Sequence, residues 1–529
     1  MTKPYDVIIA GAGPIGLFTA CELAMKGVSV LVLERDSEPE SPWKSAPLGL
    51  RGLNTSSAEH FYRRGLLDKV IERKPGRHDI LAKKPGFQFA GHFAGLSLNA
   101  NKLDLTRWKY RLPGPALTPG ATILARITSV LTERAESLGV TILRGAGVTG
   151  VSQDDDSVTV EAGDHQTFNA KWLVGCDGGR STVRRAAGFD FVGTEPEFTG
   201  HILQADLDNS DKLNKGFNVA KGGMYVTGLG GSLYLIDFDS GSFHRTQEIT
   251  PEYAQEVLER VTGFTDVKIT KIHHASSFTD RSMQTTSYRK GRVFLAGDAA
   301  HIHSPLGAQG LNLGLGDAMN LGWKLAAAVQ ASKKSTEGVE ASSAEASTRP
   351  ADQLSALLDT YQEERHPIGA WVLDWTRAQV SALRPDPHGA ALRQLLADLI
   401  DTDDGSNLFI GRIWGLSQRY DFGEADQHPL VGCSAPEFEL DDGSRLGSKM
   451  EGARGLLVDL GDGLEKLRGL AGQYKSKVEY MSVGVKEQLG LRALLVRPDG
   501  VVAWVAEEKE EPDLDAARAA LERWFGLGL

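Results

Sequence analysis

Cysteine is scarce: Cys21, Cys176 and Cys433 are the only three in 529 residues. They form no Cys-x-x-Cys pair, which excludes a zinc ribbon and a dithiol redox couple. So low a content suits a reducing compartment. Positive charge is also in deficit, with 58 Lys and Arg against 69 Asp and Glu, a net charge of −11. That balance argues against a nucleic-acid or anionic-membrane partner held by bulk charge. The apolar run near the N-terminus is broken by Glu22 and Lys26, too early for a membrane span, and lacks the form of a signal peptide. A cytoplasmic protein with neither membrane nor nucleic acid among its partners is expected. No Gly-x-Ser-x-Gly elbow supports a hydrolase, and no internal repeat is visible. His301 and His303 offer two metal ligands at most, so hydrogen bonding within a loop is the better reading and no metal is expected. His273 and His274 point opposite ways on a strand.

Apolar residues make up 41% and charged residues 24%, the range of a globular protein, and 529 residues exceed one ordinary core. Residues 5–10 read as a buried parallel strand, 14–26 as a helix stopped by Gly27, and 28–34 as a second buried strand. The spacing of Leu124, Ile127, Leu131, Ala135 and Leu138 predicts a helix over 121–138. Strand-like runs follow near 140–144, 147–152, 157–161 and 171–175. Short apolar stretches from 190 to 275 predict a mainly antiparallel sheet. Residues 292–297 are a further buried strand, and a helix starts near 311. Residues 332–352 lack an apolar face and predict an exposed insertion. Helical patterns resume at 353–384 and 390–402. Residues 430–529 form a separate small α/β unit, with a hairpin turning at Pro498-Asp499-Gly500.

Three motifs carry the chemistry. The first is Gly11-Ala12-Gly13-Pro14-Ile15-Gly16, between a strand and a helix. Gly11 allows a tight turn, Gly13 lets backbone approach a pyrophosphate, and Gly16 lets helix and strand pack closely. The helix N-terminus would hold the phosphates, and Glu34, closing the second strand, could bind a ribose diol. This motif leaves FAD and NAD both open. The second runs from Leu173 through Asp177 and Arg180 to Arg185. The third leaves a strand at Gly297 and Asp298, crosses Pro305 and Gly307, and enters a helix at Gly310, Leu311 and Asn312. Asp298 could accept a hydrogen bond from a polyol hydroxyl. Amides near Gly310–Asn312 would face negative charge on a reduced flavin.

In this order and spacing the motifs resemble the single-component FAD-dependent aromatic hydroxylases, the group A flavoprotein monooxygenases typified by p-hydroxybenzoate hydroxylase. The likeness is strongest to aromatic polyketide hydroxylases and rifampicin monooxygenases. It implies an α/β chain: a Rossmann-like (GR2-type) FAD-binding domain, an inserted antiparallel substrate domain and a C-terminal thioredoxin-like domain. The expected division is 1–75, 110–185 and 276–385 for FAD, and 76–109 with 186–275 for substrate. Residues 332–352 are then the insertion, 386–429 a helical connector and 430–529 the thioredoxin-like unit. Without Cys-x-x-Cys, that last unit is expected to serve packing or dimerisation, giving a homodimer.

The resemblance further implies that Gly11, Gly13, Pro14, Ile15, Gly16, Glu34 and Arg35 bind the ADP half of FAD. Arg126 would meet the flavin phosphates or ribityl chain, and Gly297 and Asp298 the ribityl chain. Pro305, Gly307, Gly310, Leu311 and Asn312 would line the isoalloxazine. Asp177 and Arg180 occupy a motif the family links to both FAD and NAD(P)H. Where polyketide hydroxylases usually carry two arginines after the second strand, Lys44 and Arg51 stand here, and Lys lacks the planar fork of Arg. NADPH or NADH would act as a transient reductant, with no second nucleotide cradle, and O2 would be carried as a C4a-hydroperoxyflavin. Hydroxylation of a phenolic, polycyclic substrate follows, with no protein base assigned. Aromatic candidates for the substrate are Phe89, Phe93, Trp108, Tyr225 and Phe243. Baeyer–Villiger or ring-opening oxygenation would use the same flavin chemistry. A non-catalytic flavoprotein that sequesters an aromatic ligand is the rival from another class. A halogenase is disfavoured by the missing Gly-x-Trp-x-Trp-x-Ile-Pro motif.

Overall fold

The computed structural model describes residues 5–71, 81–229, 231–243, 247–337, 345–423, 427–461 and 463–526. Five strands form the parallel part of an eight-stranded sheet, in the order Val293–Leu295, Gln166–Gly175, Tyr5–Ala10, Val30–Leu33 and Thr141–Leu143. Their near-continuous Val, Ile and Leu runs are those of strands buried on both faces. The helices Pro14–Ala24 and Gly310–Glu337 pack against each other and share the largest core with this sheet.

The helix predicted over 121–138 begins at Leu124. Residues Gly120–Ile123 are instead a short strand paired with Leu50–Leu53. Two of the helix's first amides are satisfied from that neighbouring loop: Leu124 N–H donates to Gly49 O and Ala125 N–H to Lys44 O, each at 2.8 Å. Tertiary pairing takes one turn from the amphipathic pattern, and β-branched Thr122 and Ile123 suit the exchange.

The antiparallel sheet has the order Gly216–Ala220, Gly223–Leu229, Ser232–Asp237, Thr199–Asp208, Lys268–Thr279. Its alternation sorts side chains strictly. Leu203, Tyr225, Leu233 and Leu235 face the helix Pro251–Thr262, while Met224, Val226 and Ile236 join Phe93, Leu306 and Trp375 on the other side. The helix is well specified: Thr250 caps it by accepting from Tyr253 N–H, Pro251 opens it, and Gly263 closes it at φ 79°.

The C-terminal sheet runs Val478–Ser482, Gly455–Asp459, Leu491–Val496, Val502–Glu507, with the first pair parallel and the others antiparallel. Helices Glu465–Gly472 and Leu514–Phe525 complete its α/β layers. The expected insertion at 332–352 is helical at both ends: one helix extends to Glu337 and the next, Glu345–Leu383, begins within it. Residues 338–344 lie outside the described residues. Among the described residues no helix is long and apolar enough to cross a membrane.

Candidate active site

Adjacent parallel strands deliver the three motifs to one edge. Tyr5–Ala10 ends at the glycine loop, Gln166–Gly175 at Cys176 and Asp177, and Val293–Leu295 at Gly297 and Asp298. Ligands of open α/β sheets bind outside these carboxyl ends.

The glycines divide the labour. A Cβ on Gly11 would lie 2.5 Å from Cys176 O, and one on Gly16 would lie 2.0 Å from Gly11 O. These two pack backbone on backbone. A Cβ on Gly13 would meet nothing within 4 Å, and no side chain caps the helix there. Space is therefore open beside the first turn, whose amides lack acceptors within the helix, and such a place suits an anion. Glu34 borders it: Oε2 accepts from Ala12 N–H at 2.6 Å and Oε1 from Asp36 N–H at 2.9 Å. Pro14 opens the helix, and Ile15 locks motifs one and three together, its side chain reaching the space a Cβ would need at Gly297 (3.0 Å) and Gly314 (2.7 Å).

Asp298 is accessible to solvent although protein surrounds it, so it lies in the wall of a recess. The same enclosure raises its carboxyl pKa, against the pull of His301 and Arg51. Arg51 is electrostatically coupled to both Asp298 and Tyr234, so it links the recess to the front of the antiparallel sheet. A Cβ on Gly310 would lie 3.4 Å from His303 Nε2 and 4.0 Å from Asp298 Oδ1. His303 Nδ1 is 2.7 Å from Ser304 O, and burial lowers the ring's pKa to about 4, so it is neutral at pH 7. Its Nε2 is buried without a partner, as is Asp177 Oδ1. Each is a buried polar atom whose hydrogen bond a bound group could complete.

Asn312 ties the helix start to the neighbouring loop. Its Oδ1 accepts from Asn54 N–H at 2.9 Å, and its Nδ2 donates to Gly52 O and Ala308 O. Gly307 adopts φ 79°, close to Gln379, whose amide bridges Ala94 N–H and Leu306 O. Pro305 is exposed, and Leu311 packs against the main core.

Other candidates are placed differently. Arg180 is exposed, and Asp177 Oδ2 caps the short helix Thr182–Ala186 through Thr182 and Val183 N–H. Lys44 Nζ donates to Pro39 O, while its backbone adjoins the turn that carries the half-buried Arg126. Arg35 is exposed and pairs with Asp36. Phe93 sits in the front-face cluster against Trp375 and Phe409, and Phe89, half exposed, stacks on Phe217. Trp108 donates to Ser417 Oγ. Tyr225 and Phe243, expected at the substrate, lie on the opposite side. Tyr225 packs beneath the Pro251–Thr262 helix, and Phe243 stacks on that helix's Tyr253 at 4.8 Å. Period-two alternation turns Tyr225 away while Met224 and Val226 face forward.

One central residue was missed. Asp317, fully buried, accepts from Gly297 N–H at 3.0 Å, contacts His301 Nε2 at 2.7 Å and pairs with Arg365 Nε at 2.8 Å. Burial opposes its charge, but His301 and Arg365 prevail and hold its pKa low. The signal existed: Gly310, Gly314 and Asp317 follow a helical stripe of i, i+4, i+7. Nothing in the local sequence marked Arg365.

A glycine loop at a helix start, an acid at the neighbouring strand end and a facing antiparallel sheet are together the arrangement of a dinucleotide-binding α/β protein. The chain belongs to the FAD-dependent aromatic-ring hydroxylase family: the family description "FAD binding domain" matches residues 4–354, and "Aromatic-ring hydroxylase, C-terminal" matches 428–527. A monooxygenase of Claviceps purpurea (strain 20.1) is 49% identical over 99% of this chain and 98% of that protein. Rifampicin monooxygenase of Streptomyces venezuelae is 36% identical over 99% of each. The solved structure of the anhydrotetracycline hydroxylase from Streptomyces rimosus superposes with a TM-score of 0.79, at 34% identity and 99% coverage of both chains. The protein is a flavin monooxygenase with FAD as its cofactor.

Proposed function

We propose that the protein uses NADPH or NADH and O2 to hydroxylate a phenolic, polycyclic aromatic substrate, in a cytoplasmic setting. The convergence of three loops at one sheet edge, opposite an apolar sheet face, carries this reading. The cradle left open at Gly13 and the unpaired Asp177 Oδ1 and His303 Nε2 fit FAD. FAD, when bound, supplies the reduction of O2 and the transfer of one oxygen atom to the ring.

The chain's residues position and shield that chemistry. The amides after Gly13 would hold the pyrophosphate, Glu34 the adenosine ribose, and Arg126 the phosphates or ribityl chain. Asp298 would accept from a ribityl hydroxyl. Amides at the N-terminus of the Gly310–Glu337 helix, with Pro305 and Gly307 before it, would meet the isoalloxazine, and Asp177 and Arg180 the nucleotides. Arg51, whose charge acts on both Tyr234 and Asp298, would favour a substrate phenol in its more reactive phenolate form. Met224, Val226, Ile236, Phe93 and Trp375 would exclude water.

The test is direct. Purified protein supplied with FAD should be yellow. A panel of polycyclic phenols should stimulate its NAD(P)H oxidation and yield a product heavier by one oxygen atom, labelled from 18-O2. A folded but colourless protein overturns the proposal. Tight ligand binding with no NAD(P)H oxidation would mark a sequestering flavoprotein instead.

A further inference from the structure

A cavity of about 310 Å3 lies on the side of the Gly310–Glu337 helix away from the glycine loop. Helical register separates the two regions. Gln309, Asn312, Leu313 and Gly316 line the cavity, whereas Gly314 and Asp317 meet Ile15 and Gly297. The cavity's volume is at the lower end for small-molecule sites. Trp371 and Ile368 give it an apolar wall. Arg365 is buried at its floor with its charge taken by Asp317. Arg412 and Arg419 also line it, and both are exposed. Neither pairs with an acid among the described residues; Arg412 lies over Trp375 at 5.6 Å, and Arg419 Nε donates to Val431 O.

Among the described residues no carboxylate lines this cavity, in a chain of net charge −11. One wall also carries an unfinished contact, because His60 Nδ1 is buried without a partner. A space with a ring-sized apolar wall, two guanidinium groups that have no carboxylate partner among the described residues, and no acid in its lining selects for negative charge.

We propose that this cavity is a second ligand site, distinct from the recess at Asp298, for a planar ring system bearing one carboxylate or phenolate. The ring lies along Trp371, and the anionic group meets Arg412 and Arg419. Arginine suits this role because its planar fork matches a carboxylate's two oxygens.

The experiment titrates the full-length, FAD-supplemented protein with naphthalene-2-carboxylate and with neutral naphthalene-2-carboxamide by isothermal calorimetry. The carboxylate should bind about tenfold more tightly than the amide. The double variant Arg412→Glu with Arg419→Glu should lose that preference while keeping the same visible flavin spectrum. Ser417→Trp, which fills the same cavity from an exposed lining position, should weaken both probes. Equal binding of the two probes, affinity unchanged by the charge reversal, or no saturable binding each overturns the proposal. Loss of FAD would sink the functional reading of the recess, but the binding comparison would stand in the unloaded protein.

Discussion

Gly13 and Gly16 are three residues apart and do opposite work. Gly13 has φ −75°, which any residue adopts, and open space where its Cβ would go. Gly13→Val should leave the thermal midpoint of the flavin-free protein nearly unchanged and weaken FAD binding at least about tenfold, read by fluorescence titration. Gly16→Ala forces a methyl against Gly11 O and should cost about 1–3 kcal/mol in urea unfolding, flavin or no flavin. Equal loss of stability in both would contradict this division. A titrating residue offers a second test. Burial pushes the Glu437 carboxyl up to about 7 from 4.5. A raised carboxyl disfavours the folded state once ionised, so the penalty is absent below about pH 4.5 and complete above about pH 7. Glu437→Gln keeps an oxygen for Gly447 N–H and should stabilise by on the order of 1 kcal/mol at pH 8.5, with the gain vanishing near pH 4.

Among elements, the Gly310–Glu337 helix organises the site. Its first turns supply the candidate flavin amides on one side and a cavity wall on the other, and Asp317 fixes its distance from the strand end at Gly297. Asp317→Asn leaves Arg365 buried without its ion partner. A loss of about 3–5 kcal/mol in urea unfolding is expected, together with faster FAD release on dilution. A stable variant with unchanged FAD retention would show that the Gly297 loop holds its shape without this anchor. The strand Gly120–Ile123 teaches a related lesson about legibility. The local apolar period of 121–138 is helical, but partners at Leu50–Leu53, far away in sequence, claim its first turn. Propensity is a local quantity, and pairing is not.

Across the whole molecule, the turn at Pro498-Asp499-Gly500 belongs to the join between the C-terminal unit and the catalytic part. Arg497, fully buried, makes two hydrogen bonds to Glu364 at 2.8 and 2.7 Å, pairs with Asp499, and lies 4.3 Å from the Trp524 ring centre. Arg64 reaches the same turn, donating to Pro498 O and pairing with Glu22 at 2.6 Å. Burial alone would raise the Glu364 pKa, but Arg497 and Lys324 hold it at about 2. A depressed carboxylate contributes stability that is present above about pH 4.5 and lost as pH falls toward 2. Glu364→Gln should therefore flatten the acid limb of a stability–pH profile. Arg497→Met should lower stability by about 3–5 kcal/mol at pH 7, with both parts of the chain destabilised together. An unchanged acid limb would refute the role given to Glu364.

The order of motifs, the glycine loop and the buried parallel strands were legible along the chain, because tight turns, helix starts and strand burial leave their mark on neighbouring residues. The candidates Asp298, Gly310 and Asn312 were named from such local marks; a Cβ on Gly310 would lie 4.0 Å from Asp298 Oδ1, whereas Asn312 ties the helix to the loop at Gly52 and Asn54 and lines the cavity on its other side. What lay beyond that reading depended on which distant surfaces meet. Tyr225 turned away because a sheet has two faces and only packing selects the inner one. Arg365, Arg497 and the acid-free cavity arose where separate segments closed on each other, and a buried charge carries no signature until its partner, 48 residues off for Asp317 and 133 for Glu364, arrives beside it.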